Sequence, residues 1–558
     1  MPLKSFLYIY IGISLLIYFI CAWQVYESPL QLATPNENGI YEFNLVIEYK
    51  LTMYSYANMA PIDYDVNTQS WYQLNSSLYA PCNASNFLIN NQNNNLTNLN
   101  NILNTINQYD GRHIRTISIN GKIPGDTIVV PLGAEVILRI KNRLNTESLS
   151  IHLHGVDKQW LWYTDGIAFI QQCPISTGSD YSYRFIADTA GTHWYHGHLM
   201  SDLGDGVVGG FVVKKPNETT PSLKGNRLNL AREYYILIRD IGVVSAYDQS
   251  LAMSLMTVKY ANKMDDQHST CTLNPCWNRT RNYDGSAIAF LSPLSSILIN
   301  NKGWYSQQDL RQTPSKTPLT TYLIKAGENV RFRMVNGGIG HPIMLWLEYH
   351  KLIVVATDGA EIKPVQVDSM VIFPGERYDI LVQGVLENGE EIEDKEVVKQ
   401  KNFTQGYEEY FININHDNMM NGISFKPPKG MPYYNDGNEN QILTPCSSSI
   451  CNEDMSMGMS EDLPMLGTNE NCNCFNVYNF TLGNIVQLTL YNMGNGGTYQ
   501  NGFPHPFHLH GTHFYVMKLA YPPTYDKNGV LNSTNGDIPC TDSMVSVIRV
   551  QRESTTPS

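Results

Sequence analysis

The sequence predicts an all-β protein with several β-sandwich or barrel domains in a row, and three observations lead there. The chain has 558 residues, too many for one small core, so it divides into domains that each bury their own centre. Short segments rich in β-branched side chains, with alternating apolar and polar residues, recur between Gly, Pro and Asn turns. Sustained helical periodicity does not. Strands without amphipathic helices between them indicate sandwiches or barrels rather than a parallel α/β sheet.

At the N-terminus, Lys4 precedes the apolar run FLYIYIGISLLIYFICAW (6–23). The run is longer than the usual hydrophobic part of a secretory signal and approaches the ~18 residues that can cross a bilayer. Residues 1–25 therefore read as a cleaved signal peptide or as a retained signal anchor. With Lys4 inside, both place the body outside the cytoplasm, either secreted or held at the membrane by residues 6–23. Two further features agree. Asn-x-Ser/Thr sequons stand at Asn75, Asn83, Asn95, Asn217, Asn278, Asn402, Asn479 and Asn532, as in a glycoprotein. Nine cysteines follow Cys21, among them the close pairs Cys271/Cys276 and Cys446/Cys451. In an oxidising compartment these are expected to form disulfides, and an odd number leaves one without a partner in the chain.

Three blocks follow. The first, 38–215, contains strand-like segments at 44–56, 126–142 and 209–215, interrupted by an Asn-rich tract (89–107) that reads as a looped insertion. The second, 228–390, contains 328–336, 351–359 and 378–384. A charged stretch at 387–401 reads as a solvated linker to the third block, 405–558, which contains 485–492. No repeat of fixed short period is present, but the shared style suggests one β-fold used three times. The net charge of −13, with no long basic run, argues against nucleic acid as a partner.

Histidine carries the chemistry. Of 14 histidines, His113, His268, His341, His350 and His416 are scattered and read as isolated surface or core residues. The others gather in SIHLHG (His152, His154), GTHWYHGH (His193, His196, His198) and FPHPFHLHGTHF (His505, His508, His510, His513). The recurring unit is His-x-His. On a strand, residues i and i+2 share a face, so each pair presents two imidazoles side by side; on a helix they would splay apart. His505 is offset from His508 by an odd number, with Pro506 between, and is expected to aim elsewhere. One short segment can thus serve two metal sites. Neutral imidazole is the commonest metal ligand. A zinc ion takes four ligands, and seven imidazoles with no Asp or Glu woven among them exceed that, so several copper ions fit better.

These clusters resemble three of the four copper-binding signatures of the multicopper oxidases, the family of laccases, ascorbate oxidases and ferroxidases. The flanking text is similar too: INGKIPGDTI before the first cluster and TDGIAFIQQCPI after it, DGVVGGFVV after the second, and VRFRMVNGG and IFPGERYDILV in the middle block. The resemblance runs in order over residues 115–545. It implies three consecutive cupredoxin domains, Greek-key β-barrels or sandwiches, with no copper site in the second. It further implies that His152 and His508 hold type 2 copper, that His154, His196, His198 and His510 bind the type 3 pair, and that His505 is a type 1 ligand. His193 and His513 match no ligand position. Asp205 resembles an acid that the family places beside the trinuclear cluster to help deliver protons; a plain turn Asp before Gly206 is the alternative. The implied chemistry takes single electrons from a small reducing substrate and delivers four of them to molecular oxygen, giving two waters, with the metals doing the redox work.

The fourth signature does not appear. The family's His-Cys-His strand supplies a type 1 cysteine and two type 3 histidines, yet no Cys adjoins a His here and no His follows His513. DIPCTDSMVSV (537–547) resembles the approach to that strand, after which IRVQRESTTPS reads as polar sequence with no strand to complete the third domain. The third domain is therefore expected to be C-terminally incomplete, with the type 1 site not completed by this chain. Four functions stay open: a laccase-like oxidase of phenols, a ferroxidase with the same machinery, an inactive cupredoxin array with a binding or structural role, and, more distantly, a zinc hydrolase.

Overall fold

The computed structural model describes residues 26–56, 59–66, 70–73, 106–158, 161–199, 202–216, 222–223, 226–227, 230–248, 294–305, 316–325, 327–347, 350–384, 407–413, 478, 480, 484–491, 507–520 and 545–550. Outside them lie the expectations for residues 1–25, nearly all of the Asn-rich tract, the 387–401 linker, both close cysteine pairs and His505. Among the described residues no helix is long and apolar enough to cross a membrane. Cys173 is an exposed free thiol.

The first block begins with β1 (Tyr41–Leu51) and a small three-stranded sheet, β2 (Tyr54–Ser55), β3 (Ala60–Asp65) and β4 (Ser70–Gln73). It continues through β5 (Arg115–Ile119), β6 (Gly125–Pro131), β7 (Glu135–Asn142), β8 (Ile151–His154), β9 (Asp180–Ile186), β10 (Gly191–Gly197), the one-turn helix α1 (Asp202–Asp205) and β11 (Val208–Lys214). Two four-stranded sheets, ordered β5-β1-β7-β9 and β6-β11-β10-β8, form a sandwich. Neighbours far apart in sequence and crossings between sheets are what Greek-key connection requires. Ile47, Leu138, Ile151, Leu153, Tyr183, Tyr195 and Phe211 meet in its core. The segment expected as one strand at 126–142 is two, because Leu132–Ala134 turn the chain and Gly133 takes φ +81° there.

After a short hairpin, β12 (Ser222–Leu223) and β13 (Asn226–Arg227), the second block has β14 (Leu230–Gly242), β15 (Leu294–Ile299), β16 (Asn329–Asn336), β17 (Ile343–Trp346), β18 (Leu352–Thr357), β19 (Ala360–Val367), β20 (Ser369–Ile372) and β21 (Arg377–Gln383). Its six-stranded sheet runs β15-β14-β16-β21-β18-β19, faced by the pair β17-β20. In the third block β22 (Tyr407–Asn413), β23 (Ile485–Tyr491), β24 (Tyr515–Ala520) and β25 (Val545–Val550) form the sheet β22-β23-β25-β24. Residues 548–550, expected to lie past the last strand, extend it instead: 548 and 549 pair with both β23 and β24, and 550 pairs with β23.

Each block opens its sheet with a parallel pair: β1 with β7, β14 with β16, and β22 with β23. Blocks one and two also share a turn that marks the repeat in the sequence itself. INGK (119–122) and INNK (299–302) are both two-residue hairpin turns with left-handed central residues, the kind that Asn and Gly favour. Asn120 receives the Val46 amide and donates to the Asn44 carbonyl; Asn300 receives the Leu237 amide and donates to the Tyr235 carbonyl.

The seam between the first two blocks combines an apolar layer and buried charge. Val129, Trp194, Val208 and Val212 pack against Tyr235, Leu237 and Val335. Beside them Asp379 accepts from Arg331, Arg333 and the Thr192 hydroxyl, while Glu233 accepts from Arg333 and Lys214.

Candidate metal centre

The centre is built on the outer face of the β6-β11-β10-β8 sheet. In β8, Ile151 and Leu153 point into the core, so His152 and His154 point out. Antiparallel register sets His196 opposite His152, and Trp194 opposite His154. The same-face expectation for His-x-His therefore holds on β8. Gly197 ends β10, with His196 just inside the strand and His198 just beyond it.

The third pair behaves differently. His508 and His510 stand on a loop, not a strand, so alternation does not set their directions. Both nonetheless reach the first block: His508 stacks on His154 with ring centroids 4.0 Å apart, and His510 lies edge-on to His152 at 4.3 Å and to His198 at 5.1 Å. His152 and His508 stand 5.4 Å apart. Two groups have potential ligand atoms within 4.8 Å of one another, His152 with His154 and His196, and His152 with His508 and His510. The structure thus gathers six of the seven expected ligands; it does not divide them into the two-and-four sets that the resemblance implies.

The remaining hydrogen bonds decide which nitrogens are free. His152 Nδ1 lies 2.8 Å from the Asp165 carbonyl, and His196 Nδ1 lies 2.8 Å from the Gly197 carbonyl. A carbonyl only accepts, so each Nδ1 carries the proton and each Nε2 keeps its lone pair. Both Nε2 atoms are buried without a hydrogen-bond partner. Buried polar atoms are ordinarily satisfied, and a bare imidazole nitrogen among other imidazoles is the arrangement a metal ion completes. Burial also keeps the innermost rings uncharged: it pushes His152 and His154 well below the usual range, His196 to about 3 and the half-buried His198 to about 4. Neutral imidazoles packed together, with no thiolate among them, suit copper.

One acid does lie among the histidines, contrary to the sequence reading. Asp165 Oδ2 is 2.8 Å from His510 Nδ1, and Oδ1 is 3.3 Å from His152 Nδ1. Against its burial, the Lys158 ammonium and hydrogen bonds from His152 and His510 hold this carboxyl well below its usual range. Its sequence signal is the TDG that opens TDGIAFIQQCPI (164–175), one of the stretches similar to the family. Asp205 sits elsewhere: its carboxylate accepts from the Ala246 and Tyr247 amides at 2.7 and 3.0 Å. In the same helix it is Asp202 that lies against Gly197, between His196 and His198, and burial pushes its carboxyl well up. His193 bonds the Thr189 carbonyl, and His513 pairs with Asp157 at 2.8 Å.

A three-block β protein with a polyhistidine centre between its first and third blocks, buried on the first-block side, is the class that fold and site define. Segments 103–218, 277–388 and 444–547 each match a family model described as multicopper oxidase. The chain belongs to the multicopper oxidases, whose members bind type 1, type 2 and type 3 copper. It is 28% identical to an L-ascorbate oxidase of Cucumis sativus over 276 residues, 49% of this chain and 43% of that protein. To Laccase-1 of Trametes villosa it is 26% identical over 455 residues, 75% of this chain and 77% of that one. The matches to ascorbate oxidases thus span less than half of those proteins' length. In fold it is similar to the crystal structure of Fet3p, a multicopper oxidase that functions in iron import, with TM-score 0.53 and 18% identity over 92% of this chain and 85% of that one.

Proposed function

We propose that this protein is a copper-dependent oxidase of laccase type, oxidising phenols or similar small reductants by single electrons and reducing molecular oxygen to water. The observation that carries it is the convergence of His152, His154, His196, His198, His508 and His510 with the His152 and His196 Nε2 lone pairs bare. In this reading these six hold copper, and His505 is a ligand of a separate type 1 site. Bound copper supplies the one-electron redox chemistry that protein side chains lack. The chain's own contribution is positional. Asp165 and the Gly197 carbonyl fix the Nδ1–H tautomers, the sandwich core fixes the strand carrying His152 and His154, and burial keeps the His152, His154 and His196 rings neutral. Asp205, whose carboxylate fastens α1 to Ala246 and Tyr247, is the acid this reading assigns to proton delivery. The apolar run at 6–23 and the sequons support a body outside the cytoplasm, secreted or anchored, as a glycoprotein.

The test is metal analysis of the purified full chain, followed by oxygen uptake with a diphenol and, separately, with ferrous iron. Copper together with diphenol-dependent uptake is the expected result. Uptake with iron alone would move the protein to the ferroxidases. Copper without either activity would favour a binding or structural role, and zinc in place of copper would sink the proposal.

A further inference from the structure

Lys158 is buried to 1% exposure, and its backbone takes φ +49°, a left-handed conformation that a long side chain rarely adopts. Two costs are therefore combined at one residue, a strained backbone and a desolvated ammonium. The ammonium is directed to one place. Nζ donates to the Thr164 carbonyl at 2.8 Å and to Asp165 Oδ1 at 3.2 Å, and packs over the Phe185 ring at 5.4 Å. The Asp165 carboxylate is thereby gripped from behind, while its two oxygens face His152 of the first block and His510 of the third. Next to it, Asp157 holds His513 of the same third-block loop.

We propose that Lys158 is a positioning residue of the metal centre: its buried ammonium clamps the Asp165 carboxylate, which in turn orients His152 and His510 across the junction of the first and third blocks. The proposal rests on the copper reading above and deepens it. Without the ammonium, a buried carboxylate loses its fixed cation and is free to turn, and the two imidazoles lose a common reference. Strain at a non-glycine φ persists only where the surroundings demand it, and the salt-bridged ammonium is what demands it here.

The experiment is a double-mutant cycle on the full chain, with Lys158→Met, Asp165→Asn and the double variant, each checked for native circular dichroism. Cu(II) dissociation constants and electron paramagnetic resonance spectra are recorded for all four proteins. Loss of an orienting partner behind a metal ligand weakens binding by about 10–100-fold, and that loss is expected for Lys158→Met together with a changed Cu(II) spectrum. Since Lys158 acts through Asp165, the double variant is expected to bind no worse than Asp165→Asn alone. Should Lys158→Met fail to fold, Lys158→Gln, which keeps a donor without the charge, takes its place in the same cycle. Native affinity and spectrum in the Lys158 variant, or effects that simply add, would overturn the positioning role while leaving the copper reading intact. A native chain that binds no Cu(II) would remove both.

Discussion

Gly166 follows the carboxylate that joins His152 to His510, and its φ of +86° leaves no room for a side chain. A methyl added there would land on the carbonyl of Ile151, the residue before His152. Neither partner is a flexible side chain end, so strand β8 itself must give way. Gly166→Ala is expected to cost about 1–2 kcal/mol from the left-handed backbone alone and more from the clash, read as a lowered denaturation midpoint. Copper affinity should fall in the same variant, because the displaced backbone carries His152. Gly155, at φ +98°, is similar: an added Cβ would come within 2.5 Å of His193 Nδ1 and 2.6 Å of Arg377 Nη2. At this scale the histidines were legible in sequence because they cluster as His-x-His, although only on β8 does the strand period set their directions. Asp165 and Lys158 were not, since a lone acid and a lone lysine have no period, and only their burial beside His152 shows what they do.

Strand β10 shows how one element serves two neighbours. Its Tyr195 fills the sandwich core, while Thr192, Trp194 and His196 face out to the Asp379 network, the apolar seam and the metal centre respectively. The Trp194 ring stacks on His196 at 4.1 Å and on His154 at 5.2 Å, so seam and centre share a wall. Asp379 is the anion on which Arg331 and Arg333 converge, at 2.5 and 3.0 Å. Removing one partner of a buried ion pair leaves uncompensated charge, and Asp379→Ala is expected to destabilise the protein by about 3–5 kcal/mol in urea unfolding. A double replacement that also removed the cations should recover part of that loss. Periodicity predicted β16, β18, β21 and β23 well: β18, β21 and β23 gather β-branched and aliphatic residues closely, and β16 alternates Val330, Phe332 and Met334 with Arg331 and Arg333. The long β14 escaped it: as an inner strand of its sheet that also meets the seam, it is buried on both faces over much of its length, and alternation disappears.

Across the whole molecule, charge at the seam sets the response to acid. Burial alone would raise the Glu233 carboxyl, but Arg333 and Lys214 outweigh it and bring it down to about 2. A folded-state value below the unfolded one means that its stabilisation is complete above the ordinary Glu range near 4.5 and disappears as pH falls toward 2. The native protein should therefore lose thermal stability steeply between pH 4.5 and pH 2. Glu233→Gln should start lower at pH 6 and show a shallower fall, measured by melting temperature at the two ends. An equal fall in both proteins would show that Glu233 does not govern it.

By itself the sequence determined the all-β class, the threefold plan and six of the imidazoles at the centre. Strand period and residue type are local properties, and a His-x-His pair on a strand carries its geometry with it. Only the tertiary structure decided which partners those imidazoles meet. The loop carrying His508 and His510 has no period to read, the carboxylate joining the blocks lies 345 residues from His510 in the chain, and the lysine behind it is identified by burial alone. Contacts between distant segments follow from how sheets pack, and that packing is set by the shape of whole cores, which no short stretch of sequence contains.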